Sequence, residues 1–465
     1  MKNFFINIKP YTSYEKFRSY LPKGENSLKQ NKIKSSLKMP FILLVFSLLI
    51  VAMYYINFTI RGSFSLFLGI YGTLMVIYLL GKQSLSFFYR PITGDKVPNM
   101  KVAVVVPSYN ESASAIVNTI NSVLAQDYPI HEIFFVDDGS KDKSAYEVAL
   151  KMREELLRTQ REIAATTKNN CSEILGIPDL IVHRLPKNCG KRHAQLWAFK
   201  RTTADAIVTI DSDGDLFPNA VRELLKPFND EKVMATTGHV NIRNRNDNLL
   251  TKLIDMRYDN AFRVERAAQS VTGNVLVCSG PLSCYRREVI TENLEHYGSQ
   301  MFLGEEVQFG DDRCLTNYAI LKGKTVYQST ARCITDAPTT LKQFLKQQLR
   351  WNKSFFRESL ISLGIGMKKP NVLVWTIFEI SLWILFGLSL LLSIILKASH
   401  VGLILAVYYL GYISLAAYAR NVFYLLKHPL TFLLAPLYGI LHVLALLPIR
   451  FYALLTIKSN GWGTR

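Results

Sequence analysis

Acidic residues are the scarce class in this 465-residue chain, with 36 Asp and Glu against 55 Lys and Arg and a formal net charge of +19. Where acids nevertheless gather, they need a reason. Cysteine is sparse too: the six, at 171, 189, 278, 284, 314 and 333, contain no CxxC pair, which argues against a structural zinc site. They all lie in a region expected to face a reducing cytoplasm, where disulfides are not expected. A Gly-rich phosphate loop of either common type is missing. No internal repeat or low-complexity segment stands out, which sets aside repeat architectures. The basic excess does not point to nucleic acid, because it is spread over a tail and over loops flanking apolar runs, with no recognised nucleic-acid module.

Charge is absent altogether from two early stretches, Pro40–Phe58 and Gly62–Gly81. Both are long enough to cross a hydrocarbon core of ~30 Å. A third apolar region comprises Val372–Leu396, Val401–Ala419 and Leu430–Ile449. The first stretch is no signal peptide, since it follows a long polar tail and its exit lacks a small-residue cleavage site. The chain therefore reads as a multi-span membrane protein. The tail before Pro40 carries Lys2, Lys9, Lys16, Arg18, Lys23, Lys29, Lys32, Lys34 and Lys38 against Glu15 and Glu25, whereas the link Thr59–Arg61 has one Arg. Basic flanks stay inside, so the tail and the polar middle, about residues 83–370, are expected in the cytoplasm. Such a tail can also touch anionic lipid headgroups. With a cytoplasmic C-terminus, an even number of the late stretches must cross. Pro436 and Pro448 mark the last as the irregular one.

The polar middle alternates strand and helix. Val102–Pro107, Glu132–Val136, Leu180–Arg184 and Ala206–Ile210 read as strands, with helices at Ala113–Leu124 and His193–Arg201. The expected fold class is α/β, a doubly wound, mostly parallel sheet. Ligands of such sheets sit at the carboxyl ends of the strands, and there the rare acids collect: Glu111 in SYNES, Asp137 and Asp138 in DDGS, Asp211 and Asp213 in AIVTIDSDGD.

Each motif has a bland and a sharp meaning. Carboxylates on alternate residues at a strand end can form a turn, or can hold a hard divalent cation with open positions for phosphate oxygens. Asp-Gly in DDGS is also a standard turn signal. Convergence at one sheet edge, rather than any single motif, favours a nucleotide-diphosphate and metal site, since two acidic clusters facing an anion need a cation between them. In GDDRC (310–314), Asp311 and Asp312 open a helical stretch. A helix cap with an ion pair explains the pair, as does a general base, Asp312, tuned by neighbouring charge. KQQLRWNKSFF (346–356) places Gln347, Gln348, Arg350 and Trp351 on an amphipathic stretch. They suit a pyrophosphate and a sugar or base face, and equally an interfacial helix with a snorkelling Arg and a belt Trp. The loop KNCGKRHA adds Lys187, Lys191 and Arg192 near the same crevice.

Together SYNES, DDGS, DSD, GDDR and QQLRW resemble the processive family 2 glycosyltransferases. VCSGPLSCYRRE (277–288), GDDRCLTNYAI, VYQSTARC, RWNKSFF and the stretch 237–270 are similar to the class I hyaluronan synthases of streptococcal type, from about residue 40 to the terminal WGTR. That resemblance implies a cytoplasmic GT-A domain fused to a multi-span α-helical membrane region with amphipathic interface helices. The implied boundaries are a basic tail (1–39), two transmembrane helices (40–83), the GT-A domain (84–335), interface helices with QQLRW (336–370), a C-terminal membrane region (371–458) and the WGTR tail (459–465). It implies inverting polymerisation of UDP-GlcNAc and UDP-GlcA, with export of the growing hyaluronan chain across the cell membrane.

The resemblance also implies residue roles. Tyr109, Glu111 and Asp138 would contact the uridine. Asp211 and Asp213 would bind the diphosphate and its Mg²⁺ or Mn²⁺, Asp213 directly, with Asp311 beside the substrate and Asp312 the base. Gln348, Arg350 and Trp351 would form a collar around UDP and acceptor. Cys278 would sit by the acceptor, although on composition it is a small core thiol. Trp462 would belong to a closing segment, although on residues alone it is a frayed terminus. Lys191 or Arg192 could pair with the uronate. Membrane phospholipid is the expected surrounding partner, and one chain is expected to suffice. Two departures stand out: Cys189 replaces the usual Gly of the basic loop, and the N-terminal tail is long. The rivals are a chitin-like synthase using UDP-GlcNAc alone and a catalytically silent membrane scaffold. Against the scaffold, Asp138, Asp211, Asp213, Asp312 and Trp351 are all present.

Overall fold

Apolar runs without alternation can be buried on all sides, as membrane helices when long and as central strands when short. The computed structural model describes residues 48, 51, 65–166, 177–397 and 402–458. The basic tail, Trp462 and all but Leu48 and Val51 of the first apolar run lie outside the described residues. The second run continues as one helix, α1 (Ser65–Phe88). In the polar middle, β1 (Val102–Ser108) is buried along its whole length. It leads through SYNES into α2 (Ala113–Leu124), where Ser112 caps the first turn by accepting from the Ala115 N–H. The alternation continues with β2 (Glu132–Asp137), α3 (Ser144–Thr166), β3 (Asp179–Arg184), α4 (Lys191–Phe199) and β4 (Ala206–Thr209). β1 pairs in parallel with β2 and β4, and β2 with β3.

Beyond β4 the pattern changes. β5 (Asp215–Leu216), β6 (Val233–Ile242), β7 (Ser283–Arg286) and β8 (Lys324–Thr335) complete an eight-stranded sheet in the order β3-β2-β1-β4-β7-β6-β8-β5. β7 runs antiparallel to both neighbours and β5 antiparallel to β8, while β6 and β8 are parallel. The two faces follow the period of the strand. Val102, Val104 and Val106 pack with Ile116 and Ile120 of α2, and Ala103 and Val105 pack with Ala198 and Phe199 of α4.

The remaining helices join this sheet to the apolar region. The longer ones are α5 (Leu249–Asn260), α6 (Asp311–Lys322), α7 (Leu341–Gly366), α8 (Pro370–Lys397), α9 (Gly402–Arg420) and α10 (Leu447–Leu455). QQLRW lies on the continuous α7 rather than on several interface helices, and Thr340 caps it. Among the described residues, Pro370–Leu391 and Pro429–Leu455 are long and apolar enough to cross a membrane by length and composition. The latter is segmented, with a π-helical turn at His442–Leu446. Pro436 stands in the first turn of a helical piece, where a missing N–H leaves no bond unmade, and Pro448 directly follows the π-helical turn.

Polar ties fix the two parts together. Tyr89, just past α1, donates its hydroxyl to the Tyr327 carbonyl of β8 at 2.9 Å. Trp375 of α8 donates to Thr272 Oγ1 at 3.0 Å, and Tyr424 to Asp255 of α5 at 2.5 Å. The densest knot lies between α6 and α7. Buried Arg357 donates to the Phe309 carbonyl, and Glu358 accepts from Gln300 at 3.1 Å and from Asn317 at 3.3 Å. Removing one partner of a buried pair strands the other's charge, at a cost of about 3 kcal/mol or more. Glu358→Ala is therefore expected to lower the urea midpoint of the sheet domain clearly, and Glu358→Gln much less.

Candidate active site

Four strand and helix ends meet over the carboxyl edge of the sheet. At β1, Asn110 adopts a left-handed conformation (φ 53°), which Asn tolerates. Its side chain accepts from the Lys141 N–H at 2.9 Å and its own N–H donates to Ser140 Oγ at 2.8 Å, tying SYNES to DDGS. At β2 the two aspartates divide their work. Asp137 is fully buried and paired with Arg184 at 2.8 Å, a structural role. Asp138 accepts from the N–H groups of Cys189 and Gly190, both at 2.8 Å, and so holds the basic loop. Burial pushes its carboxyl above the ordinary range, with those two bonds opposing. The left-handed position of that loop is Gly190 (φ 95°), so Cys189 replaces Gly without backbone strain.

At the end of β4 the three acids separate. Asp211 and Asp213 line a continuous cavity of about 620 Å³, whereas Asp215 is buried in β5 and paired with Arg243 at 3.2 Å. Lys191 lies between two clusters: its Nζ is 2.6 Å from Asp211 and 3.3 Å from Asp311. Burial opposes the charge of Lys191, but the two carboxylates outweigh it and hold the ammonium protonated. Burial likewise opposes the Asp311 charge, and Lys191 and Arg192 outweigh it, so Asp311 stays below the ordinary range. Asp312 goes the other way: burial, then the Asp311 charge, push it up to about 6. Its Oδ1 accepts from the Arg313 N–H at 2.8 Å. Gly310 positions the pair. It has φ 95°, and a Cβ there would meet Ser354 Oγ of α7, so only Gly lets this turn approach the helix.

The same cavity is lined by Tyr109, Glu111, Asp138, Gln348, Arg350 and Trp351, and Trp351 stands 6.4 Å from the Tyr258 ring. Two expected contacts are placed elsewhere. Arg192 is buried, stacked on the Tyr297 ring and bonded to Gln300 at 2.6 Å, so it does not line the cavity. Cys278 is fully buried, with Val277 and Ser279 lining the cavity in its place, and burial pushes its thiol up to about 12. Among the described residues no group of three His, Cys, Asp or Glu could hold a metal. A cation held between Asp211 and Asp213 would need substrate oxygens to complete its shell, which fits a metal that arrives with a diphosphate.

The cavity continues past the collar between α1, α8 and α10. There it is lined by Lys82, Arg257, Glu265, Arg266, Glu379 and Arg450, which the sequence analysis did not single out. A π-helical segment, Ala261–Arg266, brings Ala261, Phe262, Glu265 and Arg266 all to its wall. One signal was in plain sight: Glu379 is the lone charge in Val372–Leu396, and an ionisable group within a membrane-length run marks function.

The sequence profile of Glycosyl transferase family 2 matches residues 103–294, and that of Glycosyl transferase family group 2 matches residues 206–455. A hyaluronan synthase of Streptococcus pyogenes is 52% identical over 428 residues, covering 92% of this chain and 97% of the relative. The chain belongs to the class I hyaluronan synthases of streptococcal type, within glycosyl transferase family 2. An N-acetylglucosaminyltransferase of Rhizobium meliloti is 32% identical, covering 86% of this chain and 90% of that one. A solved mannosyltransferase of Pyrobaculum calidifontis, in complex with GDP-Man and Mn²⁺, aligns with a TM-score of 0.56 at 16% identity, over 88% of this chain and all of that one, so the sheet domain has the GT-A fold.

For a member of this family, a base must be ionised to accept a proton. With the Asp312 carboxyl raised to about 6, its ionised fraction falls as pH drops through 6. The kcat/KM profile is expected to show an acid limb with a midpoint near pH 6. Asp312→Asn is expected to lower turnover roughly 10²–10⁴-fold and to abolish that limb. An unchanged limb in the variant would assign it to another group.

Proposed function

We propose that this chain polymerises UDP-GlcNAc and UDP-GlcA into alternating β-1,3/β-1,4 hyaluronan and exports the product through the membrane. The observation that carries this is the single cavity running from the acids at the strand tips, past Trp351, to charged groups between the apolar helices. Two donors bind in turn in the crevice. Tyr109, Glu111 and Asp138 face the nucleoside, and Gln348, Arg350 and Trp351 close around diphosphate and acceptor. Asp312 takes the proton of the acceptor hydroxyl as its oxygen bonds to the donor's anomeric carbon, and the bond from that carbon to the diphosphate breaks. Attack from the face opposite an α-linked leaving group gives a β bond in one displacement. Arg350 meets the departing diphosphate with its planar fork. A divalent cation, Mg²⁺ or Mn²⁺, would be held by Asp213 and Asp211 and would neutralise leaving-group charge.

The same proposal extends to membrane placement. The chain crosses the cell membrane several times with residues 84–335 in the cytoplasm, and phospholipid around outward-facing side chains such as Leu430 and Leu433 (81% and 61% exposed). One chain is taken to suffice for the reaction.

Purified protein in lipid, given both sugars and Mg²⁺, should make hyaluronidase-sensitive high-molecular-weight product. Each sugar alone should fail. Polymer from UDP-GlcNAc alone would instead assign the chain to a chitin-like activity, and no product from any mixture would contradict the proposal. Chelation by EDTA should stop synthesis, and restored Mg²⁺ should recover it in wild type at lower concentration than in Asp213→Asn.

A further inference from the structure

Most charges along the inner part of the cavity are already paired. Glu265 accepts from Lys82 and Arg257, each at 3.2 Å, Arg266 donates to Ser279 Oγ at 2.7 Å, and Glu379 accepts from Gln269 at 3.0 Å. Two guanidiniums differ. Among the described residues, neither Arg313 nor Arg450 has a carboxylate within ion-pair distance. Their neighbours are rings: Arg313 lies 5.2 Å and Arg450 4.7 Å from the Phe355 centroid, and Arg450 is 5.3 Å from that of Trp383. Arg450 Nε and Trp383 Nε1 are buried with no hydrogen-bond partner. All four side chains line the cavity.

We propose that Arg313, Arg450, Phe355 and Trp383 form a subsite for the carboxylate-bearing sugars of the nascent chain, inward of the acceptor position. The inference rests on the polymerising function proposed above. A guanidinium fork matches a carboxylate, and the unpaired Nε of Arg450 and indole N–H of Trp383 supply further donors. Phe355 and Trp383 line the same wall beside the guanidiniums and add apolar contact for a sugar ring. Glu379 acts at longer range on both guanidiniums, and one carboxylate between two cations leaves a net positive charge that an anion completes. The subsite adjoins the chemistry, because Arg313 follows the base and its N–H bonds Asp312. In an alternating polymer only every second sugar brings a carboxylate, so the subsite is charged in one half of the cycle and not in the other.

The test uses the full chain in lipid nanodiscs and three probes: a hyaluronan hexasaccharide, the same hexasaccharide with its carboxylates methyl-esterified, and a neutral GlcNAc pentamer. Wild type is expected to bind the native hexasaccharide roughly tenfold tighter than its ester, the scale of a charge-assisted contact. In Arg450→Gln this preference should collapse, with pentamer and UDP-GlcA affinities unchanged, and Arg450→Lys should restore part of it. Equal weakening of all probes, or a loss confined to UDP-GlcA, would overturn the subsite. Should Arg450→Gln fail to bind UDP, the wild-type comparison decides, and an ester bound as well as the native hexasaccharide contradicts the inference. Wild type that makes no polymer from both sugars would remove the function itself, whereas polymer without an ester effect would remove only the subsite.

Discussion

The crevice depends on one ammonium. Lys191, at the start of α4, bridges Asp211 at the end of β4 and Asp311 at the start of α6. Without it, Asp211, Asp213, Asp311 and Asp312 would crowd like charges around one low-dielectric cavity. Lys191 helps keep Asp311 ionised, and burial together with that Asp311 charge raises Asp312 toward neutrality, the division that acid–base chemistry needs from two carboxylates. A strongly basic chain thus builds a locally acidic pocket that accommodates a cation together with an anionic donor.

The second constraint is the contact between that pocket and α7. Gly310 lets the Asp311–Asp312 turn approach the helix, and the Arg357–Glu358 knot fixes it there. The helix that carries Trp351 therefore also sets the position of Asp312, the proposed base. Because α7 runs on to α8, reaction site and apolar helices share one wall, and the cavity passes between them without a break.

Legibility followed burial chemistry. β1, α2, β2 and β4 were readable because their apolar runs have the right length and clear stops. β6 and β8 were not, since VMATTGHVNI and KTVYQSTARCIT carry polar side chains in a buried sheet. Those groups find partners only in three dimensions: Thr236 donates to the Leu224 carbonyl at 2.9 Å, and His239 meets the Tyr327 hydroxyl at 2.7 Å. In the site, spacing pointed to Asp211 and Asp213 but could not separate them from Asp215, whose partner Arg243 is remote in sequence. Arg192 and Lys191 are neighbours in the chain, yet helical rotation sends one into the cavity and the other beneath Tyr297. Most inner charges escaped notice because Arg257, Glu265 and Arg266 lie in a polar stretch without a motif; Glu379 alone was marked, by the cost of a charge in an apolar run.

The central claim is that one cavity serves both synthesis and export. It is tested most directly in sealed proteoliposomes selected for an outward-facing sheet domain, supplied externally with both UDP-sugars and then treated externally with hyaluronidase. Most of the polymer should be protected until detergent opens the vesicles. Polymer digested to completion in intact vesicles would show that the chain leaves on the side where it is made, and would contradict the account.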